Sequence, residues 1–173
     1  MSQFNGFLAG SSVSKDAGDN GARFAVGIAA LESGRLAQCY ECFYGMKNTE
    51  AHFNLALCHM KAGDASKALT ELNQAISGMN RRMPETLSSA SRTDIPEKLE
   101  KYEADSDGYL APMLSDEPEL FSYASRQRML RLKADLLFAL DRTEELNAVV
   151  ASLSGKHYGN IEEIINKQKE KSV

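Results

Sequence analysis

The chain has no long hydrophobic run, little proline, no basic surplus and few cysteines. None of its apolar stretches approaches the ~18 residues that a membrane-spanning helix needs, so an integral membrane protein is not expected. With 12 Gly and 4 Pro in 173 residues, the composition excludes a fibrous or collagen-like chain. A formal net charge of -4 leaves no overall excess of cation to neutralise phosphates, which is the largest affinity term of nucleic-acid binders. The local basic stretch Arg126, Arg128, Arg131 and Lys133 reads as a solvated helix face. Cysteine is limited to Cys39, Cys42 and Cys58. That odd number suits a reducing compartment better than a disulfide framework. The first ten residues carry no positive charge ahead of a short apolar patch interrupted by Gly6, unlike a secretory leader. The expected location is cytoplasmic. No G-x-x-x-x-G-K-[ST] phosphate loop is present.

What is there is enough apolar material for a core, 43% of residues, patterned with helical period. A chain of this size predicts one domain. Residues 1–21, with Gly6, Gly10, Gly18 and Gly21, show no periodicity and read as an irregular arm. From Ala22 onward, Phe24, Ile28 and Leu31 recur at four- and three-residue spacing, one face of a helix. Gly34 ends it, because glycine most easily takes the left-handed conformation beyond a helix C-terminus. Leu36, Tyr40 and Phe43 make the stripe of a second helix. The plan then repeats: Phe53, Leu57 and Met60, a turn at Gly63-Asp64, then Ala68, Leu69, Leu72, Ala75 and Ile76. The two turn glycines stand 29 residues apart.

Residues 80–116 break the pattern and read as an insertion rather than core. Within them the Ser-rich stretch 86–94 is expected to be the most protease-sensitive part of the body. Asp94-Ile-Pro96-Glu97 carries a helix-start signature, with Ile95, Leu99 and Tyr102 as a thin apolar edge. Asp116-Glu-Pro118-Glu119 repeats the signature and predicts one long helix to about Asp141. After a turn at Asp141–Thr143, Leu146, Val149, Val150 and Leu153 form another stripe. Asn160 opens a last helix, 160–171, whose Ile161, Ile164 and Ile165 face inward and whose lysines complement the helix dipole. No strand-like alternation competes, so the expected fold class is all-α, with residues 22–173 as a single domain.

The stretch Glu50–Ile76 resembles a tetratricopeptide repeat (TPR). Ala56 is the small residue in the middle of the first helix and Gly63-Asp64 the turn. Ala68 is the small residue early in the second helix, followed by Leu72 and Ala75. A looser unit aligns Gly27, Gly34, Cys39 and Phe43 with Ala56, Gly63, Ala68 and Leu72. A third places Ala134, Asp141 and Leu146 at the first three of these positions. The resemblance covers about residues 22–79 and 126–154. It implies a short right-handed solenoid of stacked helix–turn–helix repeats with an insertion and a C-terminal capping helix. Physical reasoning agrees, since a lone helical hairpin cannot bury its apolar face and about three stacked units can.

In that family the first helix of each unit lines a concave groove for a peptide or helix. Carried over, the groove residues are Phe24, Ile28 and Leu31, then Phe53, Asn54, Leu57 and Met60, then Arg131, Asp135 and Phe138. Asn54 matches a family asparagine that can hold a ligand's backbone. Ala25 and Phe53 stand where a carboxylate-clamping co-chaperone needs polar side chains, so an apolar peptide or helix is the ligand implied. The alternative is that these residues are core, or are covered by the chain's own arm or insertion.

Chemistry has weaker candidates. Cys39-Tyr-Glu-Cys42, with His52, Cys58 and His59 nearby, contains residue types that zinc prefers. Against this, Cys39 falls where the repeat wants a small packing residue, and a free cysteine packs as a small hydrophobe. The histidines (His52, His59 and His157) sit in no nucleophile or metalloprotease motif. The expectation is therefore a non-enzymatic protein-binding module, an adaptor or small chaperone similar to the compact three-repeat chaperones of bacterial secretion systems. It needs no cofactor and has a protein partner, neither nucleic acid nor membrane. A structural subunit of a homo- or hetero-oligomeric assembly is the second reading. A zinc or redox protein using Cys39, Cys42 and Cys58 is the third.

Overall fold

The computed structural model describes residues 15–82, 97–153 and 155–171. Regular structure among the described residues is entirely helical. In chain order the elements are α1 (Lys15–Glu32), α2 (Leu36–Phe43), α3 (Thr49–Lys61), α4 (Ala65–Arg82), α5 (Glu97–Asp105), a 3₁₀ turn (Asp107–Leu110), α6 (Glu117–Leu120), α7 (Ser122–Ala139), α8 (Thr143–Ser152) and α9 (Gly159–Lys171). Helix α1 packs on α2, α2 on α3, α3 on α4, α4 on α7, and α7 on both α8 and α9. None of these helices is long and apolar enough to cross a membrane.

Three helical hairpins, α1–α2, α3–α4 and α7–α8, turn in the same way. At each, the residue three beyond the helix end donates its N–H back across the last turn: Arg35 to Ala30 at 2.8 Å, Asp64 to His59 at 2.9 Å, Arg142 to Leu137 at 3.0 Å. The residue before it is left-handed, with φ of 72° at Gly34, 82° at Gly63 and 53° at Asp141. This is the Schellman closure, which satisfies carbonyls that a helix end would otherwise orphan. Each following helix then opens on an equivalent bond, from Cys39 to Arg35, Ala68 to Asp64 and Leu146 to Arg142, all at 3.0 Å.

Those last three donors occupy one structural position and are all sealed in the core. Seven residues before each left-handed turn residue stand Gly27, Ala56 and Ala134, also buried. The reason for smallness there is direct at Gly27, where an added Cβ would lie 2.6 Å from the Phe43 ring. Ala68 is fully sealed in the α3–α4 hairpin, so Ala68→Leu is expected to cost about 1–3 kcal/mol by overpacking, although Leu146 fills the corresponding position of the third hairpin. An unchanged thermal melt would mean that Ala68 does not sit at a close approach of α3 and α4.

Several expectations need correction. Residues 15–21 are the first turns of α1 rather than irregular arm. A glycine costs a helix only about 1 kcal/mol, so Gly18 and Gly21 do not end one that is anchored further along by Phe24 and Leu31. In α2 the inward residues are Cys39, Cys42 and Phe43. Tyr40 instead lies outside, its ring stacked on Tyr44 with centroids 5.2 Å apart. The single long helix from residue 116 is broken at Phe121, whose φ of -130° and ψ of 51° leave helical space. The cause is tertiary. Glu117 is ion-paired with Arg128 of α7 and accepts the N–H of Leu114, folding the short α6 against α7 and α3.

The segment 80–116 is only partly an appendage. Leu99 and Tyr102 are exposed as an unpartnered edge, but Tyr109 and Met113 belong to the sealed core. The stretch 86–94, expected to be protease-sensitive, Ile95 and most of the N-terminal arm lie outside the described residues.

Candidate functional site

Of the residues expected to line a groove, Asn54, Arg131 and Asp135 contact the protein's own segment 103–113, and the apolar ones lie in or against the core. Phe24, Leu31, Phe53, Asn54, Leu57 and Arg131 are buried, whereas Ile28, Met60, Asp135 and Phe138 are half-buried. Asn54 is wholly inaccessible to solvent. Its side-chain amide donates to the Met113 carbonyl at 2.9 Å and accepts the Met113 N–H at 2.8 Å. A primary amide pairing with both main-chain groups of one residue ignores that residue's side chain, so the contact reads backbone. The chain on either side of Met113 forms neither helix nor turn.

Arg128 of α7 extends this grip. Its guanidinium donates to the Ala111 carbonyl and to Glu117, and lies 5.3 Å from the centroid of the Phe53 ring. Four main-chain groups between Ala111 and Leu114 are thus held by side chains: the Ala111 carbonyl, both groups of Met113, and the Leu114 N–H on Glu117.

Further along α7, Arg131 closes the end of α5. It donates to the carbonyls of Glu103 and Ala104 at 3.1 Å and of Ser106 at 3.0 Å, and its Nε reaches Asn160 Oδ1 at 2.9 Å. The guanidinium also lies 4.0 Å from the centre of the Tyr109 ring and 4.7 Å from that of Tyr158. A planar, weakly hydrated cation is suited to such a place, bonded at its edge and stacked on its faces. Burial lowers its pKa, opposed chiefly by its neighbours Tyr109, Tyr158 and Asp135.

Asp135, one turn on, accepts the Tyr109 hydroxyl at 2.6 Å and the Asn160 amide at 2.8 Å. Desolvation raises its carboxyl above the usual range, although both hydrogen bonds and Arg131 favour the charged form. With Phe138 it also borders an open cleft of about 370 Å³, together with Asp105, Asp107 and Lys167.

All three cysteines are free thiols buried in the core. Burial, then the proximity of Cys58, pushes the Cys39 thiol far above its ordinary range, and burial likewise raises Cys58. The Cys58 thiol donates to the Leu36 carbonyl at 3.3 Å. His52 pairs instead with Glu71 at 2.7 Å, and His59 meets the edge of Tyr40. Among the described residues no three His, Cys, Asp or Glu side chains are grouped to hold a metal ion. Because the thiolate is the reactive species, a disulfide-exchange reagent is expected to consume these thiols in native protein only at the rate of structural opening. Prompt titration of even one thiol without denaturant would take that cysteine out of the core.

Two residues that build this site stand outside the expected groove. The basic stretch is not a uniformly solvated face, because Arg131 is buried and the Arg128 side chain is only 17% exposed, and Met113 is sealed although its segment reads as an insertion. The helical period around Arg126–Lys133 puts Arg131 and Arg128 one turn apart, a signal that was available. Comparison of the chain with protein-family models, with curated proteins and with solved structures finds no match.

Proposed function

We propose that the chain is a non-catalytic, TPR-like interaction module, an adaptor or small client chaperone, that holds an extended apolar peptide on the face shared by α3 and α7. The observation that carries this reading is the two-way amide contact of Asn54 with the main chain at Met113. A side chain used only for packing would have no need to match both groups of one peptide unit. The identical closures of three hairpins support a repeat stack beneath it. The likeness rests on residues and turn geometry alone. On this reading the protein works in the cytoplasm, where its unpaired cysteines stay reduced, and no cofactor or nucleic acid takes part.

Affinity capture with the full chain from its native host is the test. A single stoichiometric client supports the adaptor reading. Recovery of the chain only with itself, or within a large assembly, supports a structural subunit instead. Exposed Leu114, Leu120 and Phe121, clustered in sequence around α6, favour that second reading as an outward contact surface.

A further inference from the structure

We infer that residues 107–115 are a built-in competitor for the peptide site, and that the site selects an extended segment with an apolar, unbranched side chain on a residue bearing an N–H. The inference rests on the proposed peptide-binding reading and specifies its ligand. Three features of the seated segment define the ligand. Asn54 takes both the N–H and the carbonyl of residue 113, so proline is excluded at that position. Arg128 takes the carbonyl two residues earlier, which fixes chain direction and requires an extended spacing. The Met113 side chain is fully sealed, so an apolar group must fill its place, and the flexible thioether of methionine suits an irregular hole.

The flanking residues make little demand. Leu114 is exposed, Ala111 offers only a methyl group, and Pro112 is half-buried. Recognition is therefore concentrated in main-chain bonds and one apolar insertion. The chain's own segment is retained by the further contacts of Arg131 with Glu103, Ala104 and Ser106, outside the part that mimics a ligand.

A fluorescein-labelled nonapeptide of residues 107–115, Asp-Gly-Tyr-Leu-Ala-Pro-Met-Leu-Ser, provides the test by fluorescence anisotropy with the full-length chain. Met113→Ala in the protein weakens the internal segment at its anchor. It should bind the labelled peptide at least about tenfold more tightly than wild type, a difference of about 1.4 kcal/mol. The peptide carrying Met113→Pro should not bind, and adding Asn54→Ala to the Met113→Ala protein should abolish the gain. A cooperatively folded Met113→Ala protein that binds no better than wild type overturns the inference.

Should that variant fail to fold, amide hydrogen exchange on wild type decides. The Met113 and Leu114 amides should exchange at least about tenfold faster than those of Leu57 and Leu132, through an opening that leaves α3 and α7 intact. Exchange of all four at one rate would mean that the segment leaves only on global unfolding, and would equally overturn the inference. Capture of a client by a protein that fails these tests leaves the adaptor reading standing without internal competition. Peptide binding with no client in the host leaves the competitor and removes the adaptor.

Discussion

Arg131→Ala should destabilise the protein by about 3–5 kcal/mol, the scale of breaking a buried charged network at one partner. The loss has three parts. The carbonyls of Glu103, Ala104 and Ser106 lose a charged donor, and a hydrogen bond to a charged group contributes about 1.5–3 kcal/mol. Asp135, itself poorly solvated, loses the cation that favours its charge. Tyr109 and Tyr158 lose the plate between them. Lysine should not rescue the variant, because a point ammonium cannot bond several carbonyls in a plane while stacked on rings. Urea denaturation followed by circular dichroism measures the effect. A loss under about 1 kcal/mol, typical of a surface position, would show that Arg131 does not hold α5 in solution.

Phe53→Ala is expected to cost a similar amount, about 3–5 kcal/mol, as a large aromatic removed from a core. Phe53 is fully sealed, and Arg128 lies against its ring. Met60 is only half-buried, so adding Met60→Ala should deepen the loss by less. Two readings of these residues separate here. As exposed anchors of an open groove, both could be truncated with the melting temperature near native and only a partner lost. With Phe53 sealed and Met60 half-buried, the double variant should melt far lower. A near-native melt would mean that this face spends most of its time open.

Much of this architecture can be read from residue types because backbone geometry left little choice. A left-handed residue must close each hairpin, and glycine supplies it at residues 34 and 63 without a Cβ penalty. Asp141 was recognisable as their counterpart only by spacing, since aspartate is one of the few other residues that tolerate φ above zero. Gly27 was legible for a steric reason: a Cβ there would meet the Phe43 ring, and helices that approach closely admit only small side chains.

The occupant of the site was not legible. Hydropathy along residues 103–114 reports side chains, whereas this segment is held by its carbonyls and N–H groups, which every residue has. Asn54, Arg131 and Asp135 could be singled out as ligand-facing, but nothing in their identity says whose backbone they face. Tyr40 was misplaced for a related reason: an aromatic ring looks like core in a periodic stripe, yet the neighbouring small Cys39 is what fits against α3.

The seating of residues 111–114 on Asn54 has a consequence for binding strength. A competitor joined covalently to its own site acts at an effective concentration of the order of millimolar. An incoming peptide with equal intrinsic contacts must reach a comparable concentration to displace half of it. Casual encounters with extended, methionine-bearing segments of unfolded chains would leave the site undisturbed. A segment that also engages surface beyond these four residues, such as exposed Leu120 and Phe121, could gain the additional factor of ~100–1,000 by which a second linked contact raises avidity. Covalent self-occupancy thus sets an affinity threshold, one that favours long, multi-point partners over short ones.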